Sequence, residues 1–197
     1  MNKNCNVELK KIYYGIFQKI FGFNAWHKIP IEARPYALYL VKKVNQLISE
    51  GNLKEEIVEV GCGMGDIISA INYPKKRKIG YDLDANIIRA ARIVHWRENF
   101  CVGSFDAIKG HNISLLIAVN FLHSLNEKQV QQMFSCAIRE NNISRIIVDE
   151  VESPPYEFSH SFQEIFCGAG FQLKWRSRSF AAMDWSRRRL LLFEKNG

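Results

Sequence analysis

The spacing of hydrophobic side chains changes at about residue 55 of this chain. Before that point, residues 7–21 place apolar side chains three and four positions apart, which predicts an amphipathic helix with lysines on its other face. A second helix is predicted from about Glu32 to Ser49, with Pro35 in its first turn and Gly51 ending it. We therefore expect a helical N-terminal segment of about fifty residues.

After residue 55, short apolar runs alternate with helical periods. Strands are predicted at 57–60, 78–84, 100–106, 115–120 and 144–150, and helices at 67–71, 85–96, 126–140 and 158–168. Residues 171–180 alternate apolar and polar side chains, and a connection over 181–186 leads to a last strand at 188–195. Strand–helix units followed by a hairpin predict an α/β fold.

Length and composition fit one globular domain. The 197 residues are 47% hydrophobic and 24% charged, which is typical of a folded domain with a substantial core. No apolar run is long enough to span a bilayer, and the polar start of the chain is unlike a signal peptide. Five scattered cysteines without C-x-x-C or paired histidine spacing predict reduced, buried thiols in a cytoplasmic protein, and no metal site.

The net charge of +7 allows nucleic acid, anionic membranes or acidic small molecules as partners. Its two basic clusters, at 75–78 and 187–189, lie in a predicted turn and at the start of the last strand. Neither is interleaved with aromatic side chains, as a base-stacking surface would be. We expect both clusters to be solvated, so nucleic acid is a possible but not a favoured partner.

The basic helix at 7–21 leaves two alternatives. Such a helix can lie on a membrane surface, which would give peripheral membrane contact. It can instead pack on the domain as a lid or flank, and this is the interpretation we favour. The face expected to pack consists of Leu9, Ile12, Tyr13, Ile16, Phe17, Ile20 and Phe21.

The most informative stretch is a glycine-dense turn between the first strand and the next helix. Gly61, Gly63 and Gly65 fall at alternate positions, and Glu59 stands two residues before the first. Such a turn lets the backbone approach a ligand, and a helix N-terminus behind it offers N–H groups to an anion such as the carboxylate of an amino-acid-like ligand. The spacing differs from the G-x-G-x-x-G of dinucleotide-binding turns, and no P-loop string occurs.

Polar residues also end the next three strands. Asp82 ends the second, Asp106 ends the third, and the fourth runs into Asn120-Phe-Leu-His123. In a nucleoside-binding unit, a carboxylate at the end of the second strand accepts hydrogen bonds from ribose hydroxyls. With the E-x-G-x-G-x-G turn, these four strand ends resemble the class I S-adenosylmethionine-dependent methyltransferases.

The resemblance implies a doubly wound, seven-stranded, mostly parallel sheet with an N-terminal helical cap, and S-adenosyl-L-methionine as cofactor. It divides the chain into a cap at residues 1–54 and a cofactor-binding core at 55–197, within one compact domain. The residues it places at the cofactor are Glu59, Gly61, Cys62, Gly63, Gly65, Asp82, Leu83, Ser104, Phe105, Asp106 and Asn120.

N-terminal extensions in the resembled family cap the cofactor and shape the acceptor pocket. This makes His27, Arg34 and Tyr36 candidates for substrate binding, and Trp26 a further candidate. Tyr156 joins them because Ser153-Pro-Pro-Tyr156 looks like the N/D-P-P-Y signature of amino-methyltransferases. That motif follows strand four in the family, whereas here it follows strand five and begins with serine. We interpret it as a rigid loop near the acceptor pocket, which argues against DNA adenine methylation.

Methyl transfer to a hydroxyl needs orientation, desolvation and a base. Position in the loops after strands four and five makes His123, Glu150 and His160 the candidate catalytic residues, and Glu152 and His27 also qualify. A histidine is suited to accepting the proton because its pKa is near neutral. For His123 the alternative is structural packing beside the cofactor.

Three functions follow from the resemblance. The favoured one is methylation of a small molecule, with O-methylation of a metabolite or of a sugar- or lipid-linked intermediate as the expected reaction. The second is methylation of RNA or a ribonucleoprotein, for which only the basic balance argues. The third is a non-catalytic subunit that binds S-adenosylmethionine. Fold alone does not decide among them.

Overall fold

The structure, a computed structural model, describes residues 3–152, 155–181 and 187–196. Within these ranges the helices are α1 (Lys3–Phe21), α2 (Pro35–Ser49), α3 (Asp66–Ala70), α4 (Ala85–Val94), α5 (Glu127–Glu140) and α6 (Phe162–Cys167). The strands are β1 (Glu56–Val60), β2 (Lys78–Asp82), β3 (Asn99–Val102), β4 (Asn112–Ala118), β5 (Asn142–Ile143), β6 (Arg145–Val151), β7 (Phe171–Arg176), β8 (Phe180–Ala181) and β9 (Arg187–Lys195). Ser153 and Pro154 of the predicted rigid loop, and 182–186 of the predicted connection, lie outside the described residues.

The strands form one sheet in the order β3-β2-β1-β4-β6-β9-β7. The first five run parallel, and β9 is antiparallel to both of its neighbours. The two-residue strands β5 and β8 extend β4 and β9. This confirms the predicted doubly wound, seven-stranded, mostly parallel sheet. The strand order reverses between β1 and β4, and ligands of such sheets bind beyond the carboxyl ends at this point.

Apolar residues on the two faces of the sheet build two buried clusters. Ile57 of β1 packs on one face with Leu40 and Val44 of α2, and that cluster also takes in residues of α1, α3 and α4. Val58, the next residue of β1, points to the other face and packs with residues of α5 and α6. The N-terminal helices therefore share a core with the sheet.

Three of the element boundaries that differ from the predicted ones have a local cause or a contact beside them. Helix α2 begins at Pro35 after a short 3₁₀ turn, because the residue before a proline disfavours the helical conformation. Strand β3 ends at Val102, since Gly103 turns the chain with φ 152° into a 3₁₀ turn at Phe105–Ala107. Helix α6 begins four residues late, and the N–H of Phe158 in the preceding segment donates to the carbonyl of His123.

The predicted apolar face of α1 does not pack as one surface. Phe17 and Phe21 pack on the core, and Tyr14, which was not in the predicted set, is buried about one turn before Phe17. Leu9, Ile12, Tyr13, Ile16 and Ile20 are exposed. The reason is that α1 carries apolar side chains on two sides, and only one of them reaches the domain. No helix in the described part of the chain is long and apolar enough to cross a membrane.

Both basic clusters contain a buried residue, so the expectation of fully solvated charge is wrong. The Nζ of Lys78 donates to the carbonyls of Ile68 and Ile71 at 3.0 and 2.9 Å and lies 3.1 Å from Glu98. Arg188 is 2% exposed and forms an ion pair with Asp149. In β9, strand alternation turns Arg188 inward, whereas Lys78 is the first residue of β2 and follows the exposed 3₁₀ turn Lys75–Arg77.

The cysteines were expected to be buried, and this is correct for Cys62 only. Cys101 and Cys136 are half-buried, and Cys167 is exposed. All four are free thiols, whereas the side chain of Cys5 lies outside what the structure describes.

Candidate active site

Two adjoining cavities lie at this edge of the sheet. The larger of the two has a volume of about 250 Å³ and lies where β1, β2 and β4 end. Most of the predicted cofactor residues line it: Glu59, Gly61, Cys62, Gly63, Asp82, Leu83, Ser104 and Asn120. Three do not. Gly65 lies behind the turn, Phe105 is buried in the core against Phe134, and Asp106 is exposed. Asp106 leaves the site because β3 ends earlier than predicted and the 3₁₀ turn carries this side chain away.

The glycines of the turn are required by both conformation and space. Gly61, Gly63 and Gly65 have φ of 70°, 54° and 78°, which side-chain-bearing residues rarely adopt. A Cβ on Gly61 would lie 2.5 Å from the Phe121 ring, and one on Gly65 would lie 2.3 Å from the Phe100 ring. The missing side chains therefore let the Phe121 and Phe100 rings pack directly on the backbone of the turn.

Asp82 fixes this turn to the end of β2. Its two carboxylate oxygens accept hydrogen bonds from the N–H of Gly63 at 2.8 Å and of Asp84 at 3.0 Å. A carboxylate has about four acceptor positions, so two remain for a ligand. Asp84 itself caps α4 by accepting from the N–H of Asn86 at 2.8 Å and does not line the cavity.

Glu59 is a buried carboxyl group in the wall of the larger cavity. It is 2% exposed, and its Oε2 accepts a hydrogen bond from the N–H of Ile68 at 3.0 Å. Burial raises its pKa to about 8, because the Ile68 N–H and the charge of Arg34 offset only part of the desolvation. A cationic group in the cavity would favour the ionised form.

Asp66, the first residue of α3, ties the N-terminal segment to the glycine turn. The hydroxyl of Tyr14 in α1 donates to its Oδ1 at 2.6 Å, and Arg34 donates to its Oδ2 at 2.7 Å. His95 Nε2 lies 3.5 Å from Oδ1. Burial opposes ionisation of Asp66, but His95, Arg34 and Tyr14 together lower its pKa below the usual value. Sequence reasoning assigned no role to this residue.

His27 closes the larger cavity from the N-terminal side. It lies in a 3₁₀ turn at Ala25–Lys28, and its ring occupies the space where a Cβ on Gly63 would stand, with Nδ1 at 2.8 Å from that position. Burial lowers its pKa, although Asp82 and Asp84 act in the opposite direction. His27 is therefore neutral near pH 7 and able to accept a proton.

A smaller cavity of about 180 Å³ adjoins the larger one. Both cavities are lined by Trp26, Ile29, Arg34, Tyr36 and Asn120. The smaller one also includes Ala33, Pro35, Tyr156, Ala181 and Arg188. The predicted substrate residues Arg34, Tyr36 and Tyr156 thus come together here, whereas His27 lines only the larger cavity.

A network of buried polar groups supports the junction of the two cavities. Asp149 of β6 accepts the backbone N–H of Asn120 at 2.8 Å and pairs with Arg188, which donates to the Tyr156 hydroxyl at 2.9 Å. The guanidinium carbon of Arg188 lies 4.6 Å from the centroid of the Tyr36 ring. Asn120 has φ 71°, an unusual value for a residue other than glycine. The Asp149 hydrogen bond holds it in this conformation.

The predicted bases lie away from both cavities. His160 is buried, and its Nε2 hydrogen-bonds to the carbonyl of Leu122 at 3.0 Å. His123 packs on Tyr156 with ring centroids 4.1 Å apart, and Glu150 lies in β6 opposite Arg189 of β9. Glu152, also considered, is exposed. None of these residues lines either of the two adjoining cavities, whereas His27 lines the larger one.

Besides Asp66, sequence reasoning missed Asp149 and Arg188 at the two cavities. The sequence contains a signal for each of these last two residues. Asp149 is an acid directly after the buried apolar run 146–148, and Arg188 is the middle arginine of 187–189 in a strand. Strand alternation would have turned both inward, but it would not have paired them, because they lie 39 residues apart.

No protein-family model and no curated protein matches this chain in sequence. Solved structures do match its fold. Magnesium protoporphyrin IX methyltransferase from Synechocystis, crystallised with bound SAH, has a TM-score of 0.70 at 14% identity over 95% of both chains. The N-methyltransferase NodS from Bradyrhizobium japonicum has a TM-score of 0.67 at 11% identity, over 83% of this chain and 98% of its own.

A TehB-like SAM-dependent methyltransferase from Corynebacterium glutamicum is also similar, with a TM-score of 0.55 at 17% identity, over 82% of this chain and 98% of that one. At these identities the likeness concerns the fold. The chain therefore has the fold of class I methyltransferases, and the resemblance drawn from its strand ends is confirmed at that level.

Proposed function

We propose that this protein is an S-adenosylmethionine-dependent methyltransferase whose acceptor is a small molecule. The observation that carries the proposal is the larger cavity, in which the glycine turn, Asp82 and Glu59 meet at the carboxyl edge of the sheet. Solved structures of the same fold are methyltransferases, and one of them holds SAH. The proposal includes a division of the chain into an N-terminal cap at residues 1–54 and a cofactor-binding core at residues 55–197.

The residues present fit this cofactor. Gly61 and Gly63 line the larger cavity without side chains, so their backbone can meet an amino-acid moiety, and Asp82 keeps two acceptor positions for ribose hydroxyls. Leu83, 71% exposed beside Asp82, offers an apolar surface to a base. Glu59 suits a cationic amino group, which would draw it into its ionised form. The cofactor supplies an activated methyl group and a good leaving group.

The chain itself would bind and orient the acceptor and exclude water from it. The smaller cavity, with apolar walls at Ile29, Pro35 and Ala181, has room for a small acceptor beside the larger one. His27 is the proposed proton acceptor for a hydroxyl nucleophile, because it is neutral and lines the larger cavity. We therefore retain O-methylation of a metabolite or of a sugar- or lipid-linked intermediate as the proposed reaction.

A nucleic-acid acceptor finds less support. Lys78 and Arg188, one from each basic cluster, are buried in ion pairs and contribute little to the surface potential. Free thiols at Cys62, Cys101, Cys136 and Cys167 favour a reducing compartment such as the cytoplasm.

The first test is a thermal melt of the protein with S-adenosylhomocysteine and, separately, with NAD. A ligand at about 100 times its Kd adds roughly 2.7 kcal/mol to the free energy of unfolding, which raises the Tm of a domain of this size by about 5–11 °C. We expect this rise with S-adenosylhomocysteine alone. A rise with NAD alone would contradict the proposed cofactor, and no rise with either ligand would contradict the proposed site.

The second test is Asp82→Ala. We expect it to weaken S-adenosylhomocysteine binding by about 1–3 kcal/mol, measured by titration calorimetry, because it removes a charged acceptor from two hydroxyls. Asp84→Ala is the matched control, since it removes a helix cap two residues away and should lower stability by about 1 kcal/mol without changing affinity. Equal affinity for Asp82→Ala and the parent protein would mean that Asp82 does not hold the ribose.

A further inference from the structure

The exposed side of α1 is a continuous apolar stripe. Leu9, Ile12, Tyr13, Ile16 and Ile20 follow one another at helical spacing, and their side chains are 53%, 63%, 44%, 51% and 67% exposed. At 1.5 Å per residue the stripe is about 16 Å long. Single exposed apolar residues are common on proteins, whereas a contiguous row of five marks a surface that meets another apolar phase.

The charge around the stripe indicates what it meets. Residues 1–28 contain five lysines and one glutamate. Lys19 is exposed beside the stripe, while Lys11 pairs with Glu8 at 2.7 Å and Lys10 pairs with Glu32. Lysines beside an aliphatic stripe match a bilayer surface, which offers anionic headgroups next to acyl chains. A second copy of the chain would instead bring the same lysines against each other.

The other contacts of α1 leave this side free and hold the helix in place. Tyr14 is fixed from the inner side by its hydrogen bond to Asp66, while Phe17 and Phe21 pack on the core. Helix α1 also packs against α4, which ends beside two more exposed apolar residues, Ile93 and Trp96. Tryptophan is enriched at membrane–water interfaces.

We propose that α1 docks this protein on an anionic lipid bilayer, with Leu9, Ile12, Tyr13, Ile16 and Ile20 inserted among the upper acyl chains and the lysines at the headgroups. The helix lies in the plane of the surface. Because Tyr14 bonds to Asp66, which lines the larger cavity, α1 would lie between that cavity and the lipid surface. The docking surface does not depend on the proposed function.

Flotation of the full chain with vesicles tests the proposal. We expect binding to phosphatidylcholine vesicles that contain about 30% phosphatidylserine, and a decrease on raising the salt from about 0.1 to 0.5 M, because screening weakens the lysine contribution. Equal binding to vesicles of phosphatidylcholine alone would overturn the anionic partner, and no binding to either would overturn docking.

Ile16→Ser should lower the vesicle affinity about five- to tenfold, since one inserted side chain is lost. Leu38→Ser is the matched control: Leu38 is 45% exposed on α2, and its change should alter the affinity less than about twofold. An equal loss in both variants would contradict insertion of the stripe.

Sedimentation velocity without vesicles separates docking from self-association. We expect a monomer for both the parent protein and Ile16→Ser. A dimer that Ile16→Ser dissociates would assign the stripe to a second copy of the chain and overturn the proposal. Both variants should unfold within about 0.5 kcal/mol of the parent, because the changed side chains are exposed.

Discussion

The two adjoining cavities are assembled in different ways. The larger one takes its core side from four short stretches, 59–67, 82–83, 103–104 and 119–121, each following a strand. The smaller one collects single residues from distant parts of the chain, such as Tyr36, Tyr156 and Arg188. Contiguous turns leave a motif that can be recognised in sequence, whereas residues that meet only after folding do not.

The cavities also differ in how their charges are held. In the larger one, backbone N–H groups bond to Asp82 and Glu59, and Asp66 forms an ion pair with Arg34 close by in the same wall. In the smaller one, the charge of Arg188 is balanced by Asp149 and covered by aromatic rings. A substitution in the larger cavity should therefore disrupt a local turn, whereas one in the smaller cavity should disrupt an ion pair between residues that are distant in sequence.

The largest effect is expected in the smaller cavity. Arg188→Ala should lower the free energy of unfolding by about 3–5 kcal/mol, because it leaves the Asp149 carboxylate buried without its cation. Arg187→Ala, an exposed neighbour on the same strand, should change it by less than about 0.5 kcal/mol. Urea unfolding of the two variants provides the measurement, and equal stability would show that the ion pair is not structural.

A somewhat smaller effect is expected in the turn of the larger cavity. Gly65→Ala should lower the free energy of unfolding by about 2–4 kcal/mol, since φ is 78° and the new Cβ would meet the buried Phe100 ring. Gly15→Ala is the control: Gly15 lies within α1 with no atom near the new Cβ, and alanine there should stabilise by about 0.5–1 kcal/mol. Urea unfolding should place the two variants on opposite sides of the parent, and a neutral Gly65→Ala would contradict the geometry of the turn.

The smallest effect, counted per pH unit, is the pH dependence of the free energy of unfolding that Glu59 causes. Its pKa rises from 4.5 to about 8 on folding, so the folded state binds the extra proton between these values. Stability is therefore highest below about pH 4.5 for this group and falls by about 1.4 kcal/mol per pH unit up to about pH 8. Glu59→Gln should remove this contribution. Parallel pH profiles of urea unfolding for the two proteins would contradict the raised pKa.

What could be predicted from the sequence divides in the same way, between local turns and residues that meet only after folding. The sheet could be predicted from the local hydrophobic period. Turn chemistry at the strand ends likewise indicated the residues that line the larger cavity, Glu59, Gly61, Gly63 and Asp82. Asp149 and Arg188 were missed, and His123, Glu150 and His160 do not line either cavity, because position after a strand does not fix the direction of a side chain. Helix α1 was predicted correctly as a helix, but its periodicity could not tell which of two apolar sides packs on the domain.

The hydrogen bonds of Asp66 have a consequence for the dynamics of the molecule. Tyr14 and Arg34 reach Asp66 across 52 and 32 residues of sequence, so the first turn of α3 is complete only when the N-terminal segment is in place. Detachment of that segment would leave the Asp66 carboxylate without two donors and loosen the turn behind it. The two should open as one cooperative unit in native-state hydrogen exchange. Amides of α3 would then exchange at the rate at which α1 detaches, even though the helices are remote in sequence.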